Sequence, residues 1–209
     1  MPVALFALAI GAFGIGLTEF VIAGILPTSV TPLIVHDMLD PADSAVYYIC
    51  LMLLSLVNVV PQTISLSFFA ELSQPATNSD RRMVDAGLGM YGLLVPTLLV
   101  TVPLAPYLLA LFGRGYADDG TACLRWMVAG VLATGVNYIV DALVNGRGDG
   151  TGYLLLNFVN AGLVLTGVAV GAQHSLTGVG IGWVAAQLVS AAVGVVYAAL
   201  RRPSRTSGV

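Results

Sequence analysis

Apolar residues along the chain come in long uninterrupted runs, separated by short stretches that hold nearly all the charge, Pro and polar side chains. Six runs stand out: Val3–Leu26, Tyr47–Phe69, Gly87–Phe112, Cys123–Val144, Tyr153–Ala172 and Val179–Leu200. Each holds at least about 20 residues, which at 1.5 Å of rise per residue crosses a hydrocarbon layer roughly 30 Å thick. A barrel needs segments of about ten residues that alternate apolar and polar, and these runs do not alternate. The pattern therefore predicts an all-α fold, a polytopic membrane bundle of about six transmembrane helices.

Composition agrees. Of 209 residues, 57% are apolar and 9% are charged, against roughly 25% charged in a soluble domain. That excludes a soluble enzyme, a nucleic-acid binder and a disordered tail. The whole chain, 1–209, reads as one transmembrane domain with a short polar tail at 201–209. No signal peptide is expected, because the first run has no basic flank and is too long for one. Cys50 and Cys123 are too few for a disulfide framework, and His36 and His174 stand apart, so neither zinc nor another cofactor is expected.

All eight basic residues are Arg. Arg81, Arg82, Arg147, Arg201, Arg202 and Arg205 fall on one side of a six-span threading, and Arg114 and Arg125 on the other. The positive-inside rule then places both termini in the cytoplasm of an inner-membrane protein. On this threading Thr28–Ser44 is an external loop, in which Thr31–Met38 extends a helix or lies at the interface. Ala70–Asp85 is a cytoplasmic connection ending in an amphipathic lead-in, and Asp118 and Asp119 belong to a solvated outer loop. Tyr47, Tyr48, Tyr107, Tyr116, Trp126 and Tyr153 fall near span ends, where aromatic rings settle at the headgroups.

Pro61 interrupts the second run, and Pro96, Pro103 and Pro106 the third. Each removes a backbone donor and kinks or opens a helix, and three in one span point to a moving part, as in the broken helices of transporters. Gly167 with Gly171, and Gly178 with Gly182, have the small-xxx-small spacing of close helix packing.

Charge inside a span costs about 2.5–3.5 kcal/mol at the centre on insertion scales, so it needs a reason. Glu19 and Asp141 are the two acids concerned. Asn137, Asp141 and Asn145 recur every four residues on one helix face. Asn157 and Asn160 lie on the inner half of the fifth span, Asn58 and Gln62 near the middle and inner half of the second, and Arg147 in the short Asn145–Thr151 loop. The outer halves of the last two spans are nearly free of polar groups, apart from Thr166. Two readings are open: a water-filled cavity facing the cytoplasm that takes a polar head group, or interhelical hydrogen bonds worth about 0.6 kcal/mol each.

Two resemblances add to this. The opening MPVALFALAIGAFGIGLTEFVIAGILP resembles the first helix of the drug-efflux branch of the major facilitator superfamily, through its Gly-rich start and the Thr18-Glu19-Phe20 run before Gly24 and Pro27. This implies a proton- or substrate-linked role for Glu19. The basic G-x-x-x-D loop motif of that superfamily is absent; the corresponding loop reads AELSQPATNSDRRMVD. From about residue 32 to 200 the chain resembles the C-terminal lobe of polysaccharide flippases of the multidrug/oligosaccharidyl-lipid/polysaccharide exporter superfamily. TPLIVHDMLDPADSAVYYI, PQTISLSFFAELSQ, LAPYLLALFGRGYADDGTACLRWM and the NGRGDG turn occur in that lobe's order. The likeness implies movement of a lipid-linked saccharide or related amphiphile across the inner membrane. Such flippases have two lobes, so a second lobe or a homo-oligomer is the implied partner, beside the lipid bilayer and a polar or amphiphilic substrate. The other expectations are a facilitator-type drug:proton antiporter fragment and a membrane remnant without transport. No nucleophile–base, metal or phosphate-cradling motif suggests an enzyme.

Overall fold

A backbone that leaves water must satisfy its own N–H and C=O groups, and a helix does so within one segment. The structure, a computed structural model describing residues 26–72 and 79–201, is accordingly all-helical, with no strand among the described residues. Its helices are α1 (Leu26–Met38), α2 (Pro41–Leu72), α3 (Ser79–Ala110), α4 (Arg114–Gly146), α5 (Gly150–Ala172) and α6 (Leu176–Leu200). α2 to α6 supply five helices long and apolar enough to cross a membrane, matching the last five predicted spans. The first predicted span and Glu19 lie outside the described residues.

Hydropathy marks where a helix enters oil, not where its hydrogen bonding begins, so several helices start earlier than expected. α2 begins six residues before Tyr47, capped by Asp40, whose Oδ1 accepts from the Asp43 N–H at 2.9 Å, with Pro41 at the first helical position where its missing donor costs nothing. Thr28–Ser44 is thus not an open loop. Thr31–Met38 is helical, and only Leu39 and Asp40 separate α1 from α2. Asp118 and Asp119 likewise sit on the opening turns of α4 rather than in a loop, although both are exposed. The Asn145–Thr151 loop shrinks to Arg147–Asp149, where Gly148 takes a φ of 78°. Asp149 and Ser175 cap α5 and α6 in the manner of Asp40, accepting from Gly152 and Gly178 N–H groups.

α4 is the central helix, packed against α2, α3 and α6, while α5 packs on α6 and on α1. One apolar cluster, around Leu54, Leu94, Leu124, Met127, Val164 and Trp183, fills the bundle from its middle to the α3–α4 turn. A second, around Phe68, Leu143, Val144 and Leu156, fills the end that carries the α4–α5 turn. Tyr47 belongs to the first cluster and is fully buried, whereas Tyr48, Tyr107 and Trp126 are exposed as interfacial rings are expected to be.

The glycine spacing has a direct outcome. Gly167 and Gly171 of α5 face Gly182 and Gly178 of α6, so close that a Cβ on any of the four would land on the facing backbone carbonyl. The prolines lie inside unbroken helices. Pro106 leaves the Val102 carbonyl without its in-helix donor, and Arg125 of α4 supplies one, its Nε donating to that oxygen at 3.1 Å.

Candidate functional site

Four helices each present one stripe to a common cavity of about 200 Å³. From α4 come Thr134, Asn137, Tyr138 and Asp141, spaced i, i+3, i+4, i+7, which is one helix face. From α2 come Leu51, Leu54, Ser55 and Asn58 with the same spacing, from α5 Asn157, Asn160 and Val164, and from α6 Trp183 and Gln187. Thr31 of α1 lines it as well. Its apolar lining, Leu51, Leu54, Val164 and Trp183, belongs to or packs against the first cluster, so it is a polar chamber inside an oily bundle.

Five of the expected residues, Asn58, Asn137, Asp141, Asn157 and Asn160, are brought together here. Three others are not. Gln62 is exposed, because the inward row of α2 passes through Pro61 and Ser65 instead, with the Ser65 Oγ donating to the Tyr138 carbonyl at 2.8 Å. Asn145 is half-buried one turn beyond Asp141 and does not reach the cavity. Arg147 sits in the α4–α5 turn, where its Nη1 donates to the Ala198 carbonyl at 3.1 Å.

The bonding within the chamber is incomplete. Asn137 Nδ2 donates to Gln187 Oε1 at 2.8 Å, joining α4 to α6, and Asn157 Nδ2 donates to the Tyr153 carbonyl one turn back at 2.9 Å. The Oδ1 atoms of Asn58 and Asn160 are buried without a hydrogen-bond partner. No described residue pairs with the Asp141 carboxyl, and neither Arg nor His lines the cavity. A buried acceptor left unmade costs about 1–3 kcal/mol. The chamber therefore holds two buried amide oxygens with unmet bonds beside the Asp141 carboxyl, and it suits water, a cation or a hydroxyl-bearing guest. A void of about 10 Å³ opens beside it between Asn137, Asp141, Asn160 and Ser190, room for about one water.

The lining residues that sequence reasoning passed over fall into two kinds. Ser55 and Thr134 return their hydroxyls to their own helix, onto the carbonyls of Met52 and Gly130, and so read as ordinary members of an apolar run. Gln187 carried a usable signal, an amide within the last span, and it corrects the expectation that this half of α6 is free of polar groups. Comparison with family models, with curated proteins and with solved structures returned no match to this chain.

Proposed function

We propose that the chain is a flippase-like lobe of an inner-membrane transporter, with both termini cytoplasmic. It receives the polar head of a lipid-linked saccharide or related amphiphile in the α2–α4–α5–α6 chamber while the lipid tail stays in the bilayer. The observation that carries this reading is the gathering of Asp141 and four asparagines from three helices around a cavity with unmet acceptors. Saccharide hydroxyls both donate and accept, so they would bond to the Asn58 and Asn160 oxygens and replace hydrogen bonds lost from water. At about 200 Å³ the chamber is smaller than the roughly 300–1,000 Å³ of complete small-molecule sites. That size fits one wall of a path whose other wall comes from a second lobe or a second copy. The Arg count on the two sides supports the orientation, and the likeness to polysaccharide flippases supports the substrate class.

The test is transport in vesicles reconstituted with the purified chain and a fluorescent lipid-linked saccharide. Flipped lipid becomes shielded from a membrane-impermeant quencher. The proposal expects shielding to rise well above that in protein-free vesicles. A flat trace from correctly folded protein, alone and as an oligomer, would overturn it.

A further inference from the structure

A second site runs from the end of the bundle that carries the α4–α5 turn along the face of α4 turned away from the chamber. Two cavities meet there and share Arg147. The first, about 580 Å³, is lined by Val144, Arg147, Gly148, Asp149, Tyr197 and Arg201. The second, about 290 Å³, is an open apolar groove between α3, α4 and α6, walled by Met83, Ile139, Leu143, Val195 and Ala199, with Arg147 at its mouth. A polar pocket holding two guanidinium groups thus shares Arg147 as a wall with an oily trough.

The charges of the pocket are only partly neutralised internally. Among the described lining residues the Asp149 carboxylate is the one acid, and both its oxygens are already engaged: Oδ1 accepts from the Gly152 N–H at 2.9 Å and Oδ2 from the Tyr197 hydroxyl at 2.8 Å. Those two donors, the Gly152 N–H foremost, together with the nearby Arg201 charge, hold its pKa below the ordinary carboxylate value, so it remains an anion. Arg147 spends one N–H on the Ala198 carbonyl and Arg201 lies over the Tyr197 ring, 5.6 Å from its centroid. Neither guanidinium forms an ion pair with a described residue. Counting Asp149, the described lining keeps a net charge of about +1, with Arg N–H donors left over for a guest.

We infer that this is a binding site for an anionic glycerophospholipid, its phosphate held by Arg147 and Arg201 and one acyl chain laid in the α3–α4–α6 groove. Planar guanidinium forks match phosphate oxygens in pairs. Basic pockets between transmembrane helices at the membrane surface are a recurrent way to hold anionic headgroups. The apolar trough selects a lipid over a free anion, because only a lipid fills both cavities together. An occupant here clamps α3 and α6 onto α4, on the opposite face of the helix segment that carries Asn137 and Asp141.

The experiment titrates detergent-purified, delipidated chain with phosphatidylglycerol, phosphatidylcholine or inorganic phosphate, and counts retained lipid by native mass spectrometry. Phosphatidylglycerol is expected to be retained at least about tenfold better than phosphatidylcholine. R147Q with R201Q should reduce it to the phosphatidylcholine level. Val195→Trp, which blocks the groove from an exposed position and leaves both charges in place, should reduce it as well. Circular dichroism melting reports whether each variant is folded. Equal retention of the two lipids would overturn the site. Full competition by inorganic phosphate with Val195→Trp silent would overturn the lipid assignment in favour of a simple anion pocket.

Discussion

Gly182→Ala is expected to destabilise the protein by about 2–3 kcal/mol, at the upper end of what one added methyl costs in a packed interior. Alanine is otherwise the better helix former by about 1 kcal/mol, so intrinsic propensity predicts the opposite sign. Packing decides the outcome. A Cβ at residue 182 falls on the Gly167 carbonyl, 2.7 Å from its carbon, and a backbone carbonyl inside a helix cannot rotate aside as a side chain can. α5 and α6 must separate, taking Asn157 and Asn160 away from Trp183 and Gln187. Gly162→Ala is the control: it lies on the same α5, exposed, with nothing within 4 Å of an added Cβ, and should be neutral or slightly stabilising. Thermal unfolding of the two variants in one detergent checks both signs. Equal melting temperatures would show that the glycine contact is not as close as described.

Asp141→Asn should separate function from stability. The change preserves shape and removes a charge, and no described residue pairs with the carboxyl. An unpaired carboxylate in a membrane interior costs a few kcal/mol, so the amide should leave the melting temperature unchanged or raised. Transport should nevertheless fall by at least about tenfold, or about 1.4 kcal/mol of barrier, because the one carboxylate among the described lining residues is lost. Asn157→Ala, by contrast, removes a side chain whose recorded bond is to its own helix at Tyr153, and should affect transport less. If Asp141→Asn lowered stability and left transport intact, the residue would be a packing element and the chamber would lose its centre.

The fold was legible to the extent that apolar length dictates a helix in lipid. Each of α2 to α6 contains its predicted span, except that α3 ends at Ala110, two residues short of Phe112, and the glycine spacing pointed to the α5–α6 contact that the structure contains. Helix starts were less legible because Asp40, Pro41 and the Arg114–Asp119 turns are polar yet helical, and a cap or a dipole leaves little trace in hydropathy. The Asn137–Asp141 and Asn157–Asn160 spacings indicated the site, since a three- or four-residue interval fixes a common face. Extending the same rule to Asn145 and Gln62 failed for a geometric reason. Helices in a bundle cross at an angle and the inward row drifts, so a neighbour one turn along can leave the interior. Thr31, Thr134 and Ser55 were hidden for a chemical reason: hydroxyls bonded to their own helix or set in apolar runs carry no signature. Trp183 marks a limit of another kind, an aromatic whose place on a cavity wall depends on Gly130 opposite, where a Cβ would meet its ring at 2.6 Å.

The central claim is that water reaches the chamber. It is tested most directly by placing single cysteines at 137, 141 and 160 and treating intact vesicles, then opened ones, with a membrane-impermeant thiol reagent. The native Cys50 and Cys123 are buried and should stay silent, as should a cysteine at the exposed, lipid-facing Leu99. The account predicts that the chamber cysteines react, and from the cytoplasmic face. Complete protection of all three in folded protein, with the reagent offered to both faces, would contradict it.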